Sequence, residues 1–135
     1  MSDIQSLTAT PHKILFNGKL YQCSHLTQEK KAEFASWLKR QANVALADYR
    51  RDTGDVDGWR EMARELKEDA EAGKYCFHSD KSLKALQNPA GVLALSAILF
   101  GVSEEEMVKL TMNHSAEVQA ILELVLAESV SDPNG

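Results

Sequence analysis

The chain has 135 residues, of which 44% are hydrophobic and 26% charged, and its formal net charge is -5. This composition is typical of one globular domain and excludes a disordered chain, while the acidic balance disfavours a surface that binds nucleic acid or anionic lipid. The longest apolar run, residues 91–102, is shorter than the roughly 20 residues that a membrane-spanning helix requires.

The two cysteines, Cys23 and Cys76, are too few for the disulfide framework of a small secreted domain. No charged and then apolar leader segment precedes them, so we expect the protein to reside in a reducing cytoplasm. Polar, aperiodic composition predicts a disordered tail at residues 1–11 and a frayed tail at residues 129–135. Residues 12–128 are predicted to form a single helical domain whose first part, residues 12–24, is a β-hairpin.

The first predicted element is this hairpin, which is centred on Asn17-Gly18. A two-residue type I′ turn needs positive φ at both central positions, and Asn followed by Gly supplies it at low cost. The turn sets the register and leaves apolar side chains on both faces of the hairpin. An isolated two-stranded hairpin is marginal in water, so another subunit is expected to cover one face. The candidate interface residues are Ile14, Leu15, Phe16, Leu20 and Tyr21.

Four to five helices are predicted to follow in a bundle-like, mainly α fold. The first runs from Thr27 to about residue 50 and the second from about residue 56 to 72. Residues 75–78 are predicted to be extended and residues 82–86 to form a helical turn. An apolar helix then starts at residue 89, followed by a short helix capped by Ser103 and a long helix capped by Ser115.

The core is predicted from apolar residues that recur at three- and four-residue spacing along each helix. The helix that starts at residue 89 is apolar on nearly all sides and is predicted to be the buried central one. The two tryptophans are interpreted as core anchors rather than as parts of an exposed groove. The residues predicted to be buried are Trp37, Leu38, Trp59, Leu66, Leu95, Ile98, Leu99, Ile121, Leu122 and Val125.

A possible metal site consists of His12, Cys23 and His25. In the predicted register His12 lies opposite Cys23, and Cys23 shares a face with His25. Structural zinc sites usually present two cysteines on a tight turn, which is absent here and at the similar Cys76-Phe-His78 segment. We therefore expect ordinary half-buried side chains at these positions, with no metal and no cofactor.

Catalytic motifs are absent from the sequence. There is no nucleophile elbow, no metalloprotease His-Glu-x-x-His and no Gly-rich phosphate loop. The acidic run Glu104 to Glu106 follows Ser103, and complementing the positive end of a helix explains it without a binding role. The sequence therefore predicts a protein that is not an enzyme.

Several segments resemble the small tail assembly chaperones of long-tailed bacteriophages and prophages. Residues 14–21, ILFNGKLY, resemble the F-x-G-x-x-Y hairpin of that family, and Leu26-Thr27 followed by a long helix resembles its next step. Residues 70–75, 86–92 and 102–107 are similar to its pattern of an apolar helix, a short capped helix and a final helix. The resemblance extends over about residues 12–128.

This resemblance implies a non-catalytic role in the cytoplasm of a bacterial host. The family is thought to coat the tape measure protein, a long helical chain that would aggregate if left bare during tail assembly. The implied partners are this protein or other phage tail proteins, together with further copies of the chain itself. Two alternatives remain open at this stage: a structural virion component such as a connector or tail-completion subunit, and a small metal-dependent regulator.

Overall fold

The computed structural model describes residues 12–131, and their side chains up to residue 128. It confirms a mainly helical fold with an N-terminal two-stranded antiparallel hairpin. None of the described helices is long and apolar enough to cross a membrane. The predicted tail at residues 1–11 and most of that at residues 129–135 lie outside the described part, although the last helix extends through residue 131. The elements are β1 (Lys13–Phe16), β2 (Lys19–Gln22), α1 (Gln28–Thr53), α2 (Val56–Glu71), α3 (Asp80–Ala85), α4 (Pro89–Phe100) and α5 (Glu104–Ser131).

The hairpin has the predicted register. Asn17 and Gly18 have φ values of 52° and 76°, as a type I′ turn requires. Leu15 pairs with Leu20, and the neighbouring pairs follow from the same turn. Because directly opposed residues share a face, the turn alone decides which side chains lie together.

The helix starts also follow from local sequence. The hydroxyl of Thr27 accepts a hydrogen bond from the backbone N–H of Lys30 at 3.2 Å, just before α1. The hydroxyl of Ser103 accepts one from the N–H of Glu106 at 3.1 Å, just before α5. Each bond satisfies one of the N–H groups that a helix leaves unpaired at its first turn.

The predicted extended stretch at residues 75–78 is wrong. This segment consists of turns that lead into α3. The hydroxyl of Ser79 donates to the carbonyl of Cys76 at 2.7 Å and accepts from the N–H of Ser82 at 3.2 Å. Four alternating residues carry too little signal to specify a strand, and here a serine cap starts a helix instead.

The two predicted helices after residue 103 form one element, α5, which has a kink at His114. His114 has φ −138° and ψ 42°, outside the helical range. Its Nδ1 lies 2.8 Å from Oε1 of Glu117, and its ring meets Phe16 edge-on with ring centres 5.3 Å apart. The predicted division into two helices is therefore confirmed, because two helical segments meet at this non-helical residue.

The described residues divide into two compact units. The helical unit is Lys31–Val92. The hairpin unit combines the residues up to Lys30 with those from Leu93 onward.

Buried residues of the hairpin unit come from both ends of the chain. Four predicted core residues of this unit are buried, and the other two, Ile98 and Leu122, are half-buried. The backbone N–H of Ser24 donates to the carbonyl of Leu99 at 2.8 Å, which joins the segment after the hairpin to α4. The buried apolar residues are Ile14, Tyr21, Cys23, Leu26, Ala94, Leu95, Ala97, Leu99, Phe100, Met107, Leu110, Val118, Ile121 and Val125.

Aromatic rings of the helical unit cluster around Phe34. Phe34 is fully buried, stacks on Trp37 at 5.4 Å between ring centres and meets Phe77 edge-on at 5.7 Å. Trp37 itself is half-buried, and Leu38 is buried as predicted. Lys31 is also buried, with its ammonium 5.9 Å from the centre of the Phe77 ring. Its aliphatic stem therefore lies in apolar surroundings, which the charge pattern of α1 did not indicate.

Candidate functional site

The two faces of the hairpin have different surroundings. Ile14 and Tyr21 are only 2% and 8% exposed, and Phe16 is half-buried, because other parts of the hairpin unit cover this face. Leu15 and Leu20 on the opposite face are 67% and 55% exposed. Of the five residues predicted as an interface, Ile14 and Tyr21 are therefore not accessible to a partner. The open hairpin face, as we call it, consists of Leu15 and Leu20.

Glu106 holds the covered face in place. Its Oε2 lies 2.6 Å from the ammonium of Lys19, and its carboxylate also hydrogen-bonds the side chain of Tyr21. These hydrogen bonds lower the pKa of Glu106 and raise the pKa values of Lys19 and Tyr21. From the sequence, Glu106 was predicted only to lie in the first turn of a helix. Its contact with Lys19 joins distant parts of the chain and leaves no local sequence pattern.

The apolar stripe of α2 is open. The helix is amphipathic in sequence, yet none of its residues is buried. Trp59 and Leu66, which were predicted to belong to the core, are half-buried, and Met62 is 39% exposed. The stripe borders a groove between α1 and α2 with a volume of about 250 Å³. The groove is lined by Ala42, Ala45, Leu46, Met62, Glu65, Leu66, Asp69, Tyr75 and Lys81.

Contacts at the turn between α1 and α2 hold the two helices side by side. The hydroxyl of Tyr49 donates to Oδ2 of Asp55 at 2.8 Å, and Oδ1 of Asp55 accepts from the N–H of Gly58 at 2.9 Å. The hydrogen bond from Gly58 and then that from Tyr49 lower the pKa of Asp55. The guanidinium of Arg50 lies 4.4 Å from the centre of the Trp59 ring. The groove is therefore formed by helices whose connection is well defined.

Charged residues line one part of the groove. Asp69 pairs with Lys74 at 3.3 Å and with Lys81 at 3.8 Å, and the Lys81 ammonium lies 5.2 Å from the centre of the Tyr75 ring. Glu65 is the other acidic residue of the lining. Because Lys74 and Lys81 both lie against Asp69, the charges in this part of the groove balance, and they favour a ligand that is mainly apolar.

His12 and His25 come together, but Cys23 does not join them as a third ligand. The N–H of Cys23 donates to the carbonyl of His12 at 2.7 Å, in the predicted register. Burial and then the charge of Glu128 raise the pKa of the Cys23 thiol to about 12, so the thiol stays protonated. The third group is Glu128, whose two oxygens lie 3.6 Å from Nε2 of His12 and 2.9 Å from Nδ1 of His25. We call these three side chains the His–Glu cluster.

Cys76 and His78 show no comparable arrangement. Cys76 is exposed, and the His78 ring packs edge-on against Phe77 with ring centres 5.2 Å apart. Within residues 12–131, neither belongs to a group of three metal-ligating side chains. The repeated Cys-x-His spacing therefore has no common structural role.

The chain matches no protein-family model, no curated protein and no solved structure in comparisons with all three. Its function must therefore be inferred from its own surfaces. Among the described residues, the surfaces considered below are the groove between α1 and α2, the open hairpin face and the His–Glu cluster.

Proposed function

We propose that the chain is a non-catalytic tail assembly chaperone, which binds and solubilises the tape measure protein during morphogenesis of a long-tailed phage. The observation that carries the proposal is the open apolar stripe of α2, an amphipathic helix with no buried residue. An apolar stripe that its own chain covers only in part is typical of a surface that binds another protein. The resemblance of residues 14–21 and of the later helical segments to tail assembly chaperones supports the same role.

The shape of the groove favours a helical ligand. Ala42 and Ala45 on one side are small, while Met62 and Leu66 on the other are long and flexible, so a helix can insert apolar side chains between them. Glu65 would attract a lysine or arginine that flanks the apolar stripe of the ligand, whereas Asp69 already pairs with Lys74 and Lys81. A tape measure protein is a very long helical chain that presents such a stripe repeatedly.

The open hairpin face provides a second contact. Leu15 and Leu20 lie directly opposite each other on the two strands, and both are more than half exposed. In a dimer with two-fold symmetry, the same surface of each subunit forms the interface. Leu15 and Leu20 of one copy would therefore pack against Leu15 and Leu20 of the other. Several chaperones joined in this way would coat a long partner along its length.

A co-expression experiment tests the groove. The tape measure protein of the same phage or prophage is expressed alone, with the wild-type chain, or with a variant that carries Ala45→Glu and Met62→Glu. Both positions are exposed and line the groove, so the added charges oppose an apolar ligand without disturbing the core. We expect the wild type to keep the tape measure protein in the supernatant after high-speed centrifugation and the double variant to lose this effect.

The matched control carries Val44→Glu and Val56→Glu. These positions lie on the same two helices, are 55% and 39% exposed, and do not line the groove. The control is expected to act like the wild type. A groove variant that solubilises as well as the wild type would exclude the groove, and a tape measure protein that is equally soluble alone would exclude the chaperone role.

We also expect the chain to self-associate through the open hairpin face. Replacing Leu15 and Leu20 with lysine places like charges where two apolar pairs would meet, so a dimer or ring should dissociate to monomers. Light scattering during gel filtration, at tens of micromolar protein, measures the molar mass. A variant with Leu83→Lys and Leu124→Lys, at positions 54% and 47% exposed, is the control and should keep the wild-type mass. A monomeric wild type, or an unchanged Leu15 and Leu20 variant, would contradict this prediction.

A further inference from the structure

We propose that the His–Glu cluster is a binding site for a divalent transition metal ion, with zinc as the best-suited ion. The cluster joins three distant places of the hairpin unit: His12 before β1, His25 after β2, and Glu128 near the end of α5. One ligand atom from each side chain lies within 4.8 Å of the other two. No local sequence pattern connects these residues, so the site emerges only from the fold.

The spacing of the ligand atoms suits a metal ion. Bonds of about 2.0–2.2 Å in a tetrahedral site place neighbouring ligand atoms about 3.4 Å apart. The Glu128 oxygens lie 3.6 Å from Nε2 of His12 and 2.9 Å from Nδ1 of His25. These two distances lie on either side of the tetrahedral spacing, so the ligand atoms are already close to the separation that an ion requires. The rings of His12 and His25 are also close, with centres 5.6 Å apart.

His12 is held so that it points one nitrogen at the cluster. The residue is 7% exposed, and its Nδ1 has no hydrogen-bond partner within the described residues. The polar contact of this buried ring is therefore made by Nε2, on the side of Glu128. A buried imidazole that already directs one nitrogen at a carboxylate is a pre-oriented ligand, because little side-chain freedom is lost when the metal binds.

The ligand set selects the class of metal. Calcium and magnesium prefer oxygen ligands only, whereas two imidazoles and one carboxylate suit zinc and its neighbours in the first transition row. Three protein ligands leave a fourth position of a tetrahedral zinc site for water. The side chains of His25 and Glu128 are 72% and 49% exposed, so an ion can reach the site from solvent.

Metal binding would also stabilise the hairpin unit. The ion would link the segments on both sides of the hairpin to α5, and it would bind the folded chain better than the unfolded one. From the sequence we considered Cys23 as a possible third ligand and expected no metal, whereas the fold brings Glu128 to the two histidines instead. The site is independent of the groove and of the chaperone role proposed above.

The test uses tag-free protein that has been treated with a chelator and transferred to metal-free buffer. Titration calorimetry with Zn²⁺ measures stoichiometry and affinity, and visible absorption with Co²⁺ reports the coordination geometry. We expect one Zn²⁺ per chain and a rise in melting temperature with added zinc. His25→Ala and Glu128→Gln should each weaken binding by at least about tenfold, since loss of outer-shell contacts alone costs 10–100-fold.

Two variants serve as controls. His78→Ala removes an exposed histidine of the helical unit, and Glu123→Gln neutralises an exposed carboxylate of α5. Both should bind zinc like the wild type, and circular dichroism verifies that every variant is folded. Absence of stoichiometric binding, wild-type affinity in folded His25→Ala and Glu128→Gln, or an equal loss in either control would each overturn the proposal. Because His25 and Glu128 are exposed, at least one of their variants should fold and decide the matter.

Discussion

Replacing Leu99 with alanine is expected to lower the free energy of unfolding by about 2–5 kcal/mol. Leu99 is 1% exposed, and the loss combines the transfer free energy of the removed carbons with the cost of the cavity that they leave. Its backbone carbonyl accepts a hydrogen bond from Ser24, so the surrounding chain has little freedom to collapse into the space. Urea unfolding followed by circular dichroism measures the change.

Leu124→Ala is the control for this prediction. Leu124 lies in the same unit and is 47% exposed, so its loss removes less buried surface and leaves no closed cavity. The Leu124 variant should lower the free energy of unfolding much less than the Leu99 variant does. Equal losses at the two positions would show that Leu99 is not a core residue.

Gly91→Ala is expected to destabilise the chain by at least about 3 kcal/mol, at or above the upper end of ordinary overpacking. A Cβ atom at position 91 would overlap the carbonyl oxygen of Ala85 and lie 2.5 Å from its carbonyl carbon. Both are backbone atoms, so relief requires the start of α4 to move away from the end of α3. No side-chain rotation can absorb this clash.

Thermal and urea unfolding of the Gly91→Ala protein tests this expectation. The control is Ala90→Ser, at the preceding position, which is exposed. Ala90→Ser also adds one heavy atom to the first turn of α4, but at a position that is exposed. A Gly91→Ala protein as stable as the wild type would mean that the two helices are not held in close contact.

The sequence predicted the parts of this fold that depend on neighbouring residues. Asn17-Gly18 determined the hairpin register, and Thr27 and Ser103 determined where two helices begin. The boundary between the two helical segments of α5, at His114, was also predicted correctly from local residues.

The features that sequence reasoning missed depend on distant residues. The apolar stripe of α2 was assigned to the core because its residue spacing is that of a buried helix face. Residue spacing does not show whether such a face is covered by the same chain or by another protein. The contact of Glu106 with Lys19 and Tyr21, and that of Glu128 with His12 and His25, join opposite ends of the chain. Such pairs leave no periodic signal.

The discontinuous hairpin unit has a consequence for the order of folding during synthesis. The helical unit is continuous, so its contacts can all form once Val92 has left the ribosome. The hairpin and the segment after it are made first, yet their partners Leu99, Glu106 and His114 are made last. Ile14 and Tyr21 therefore remain uncovered while the whole of the helical unit is translated, and closing that long loop adds an entropic cost to the final step.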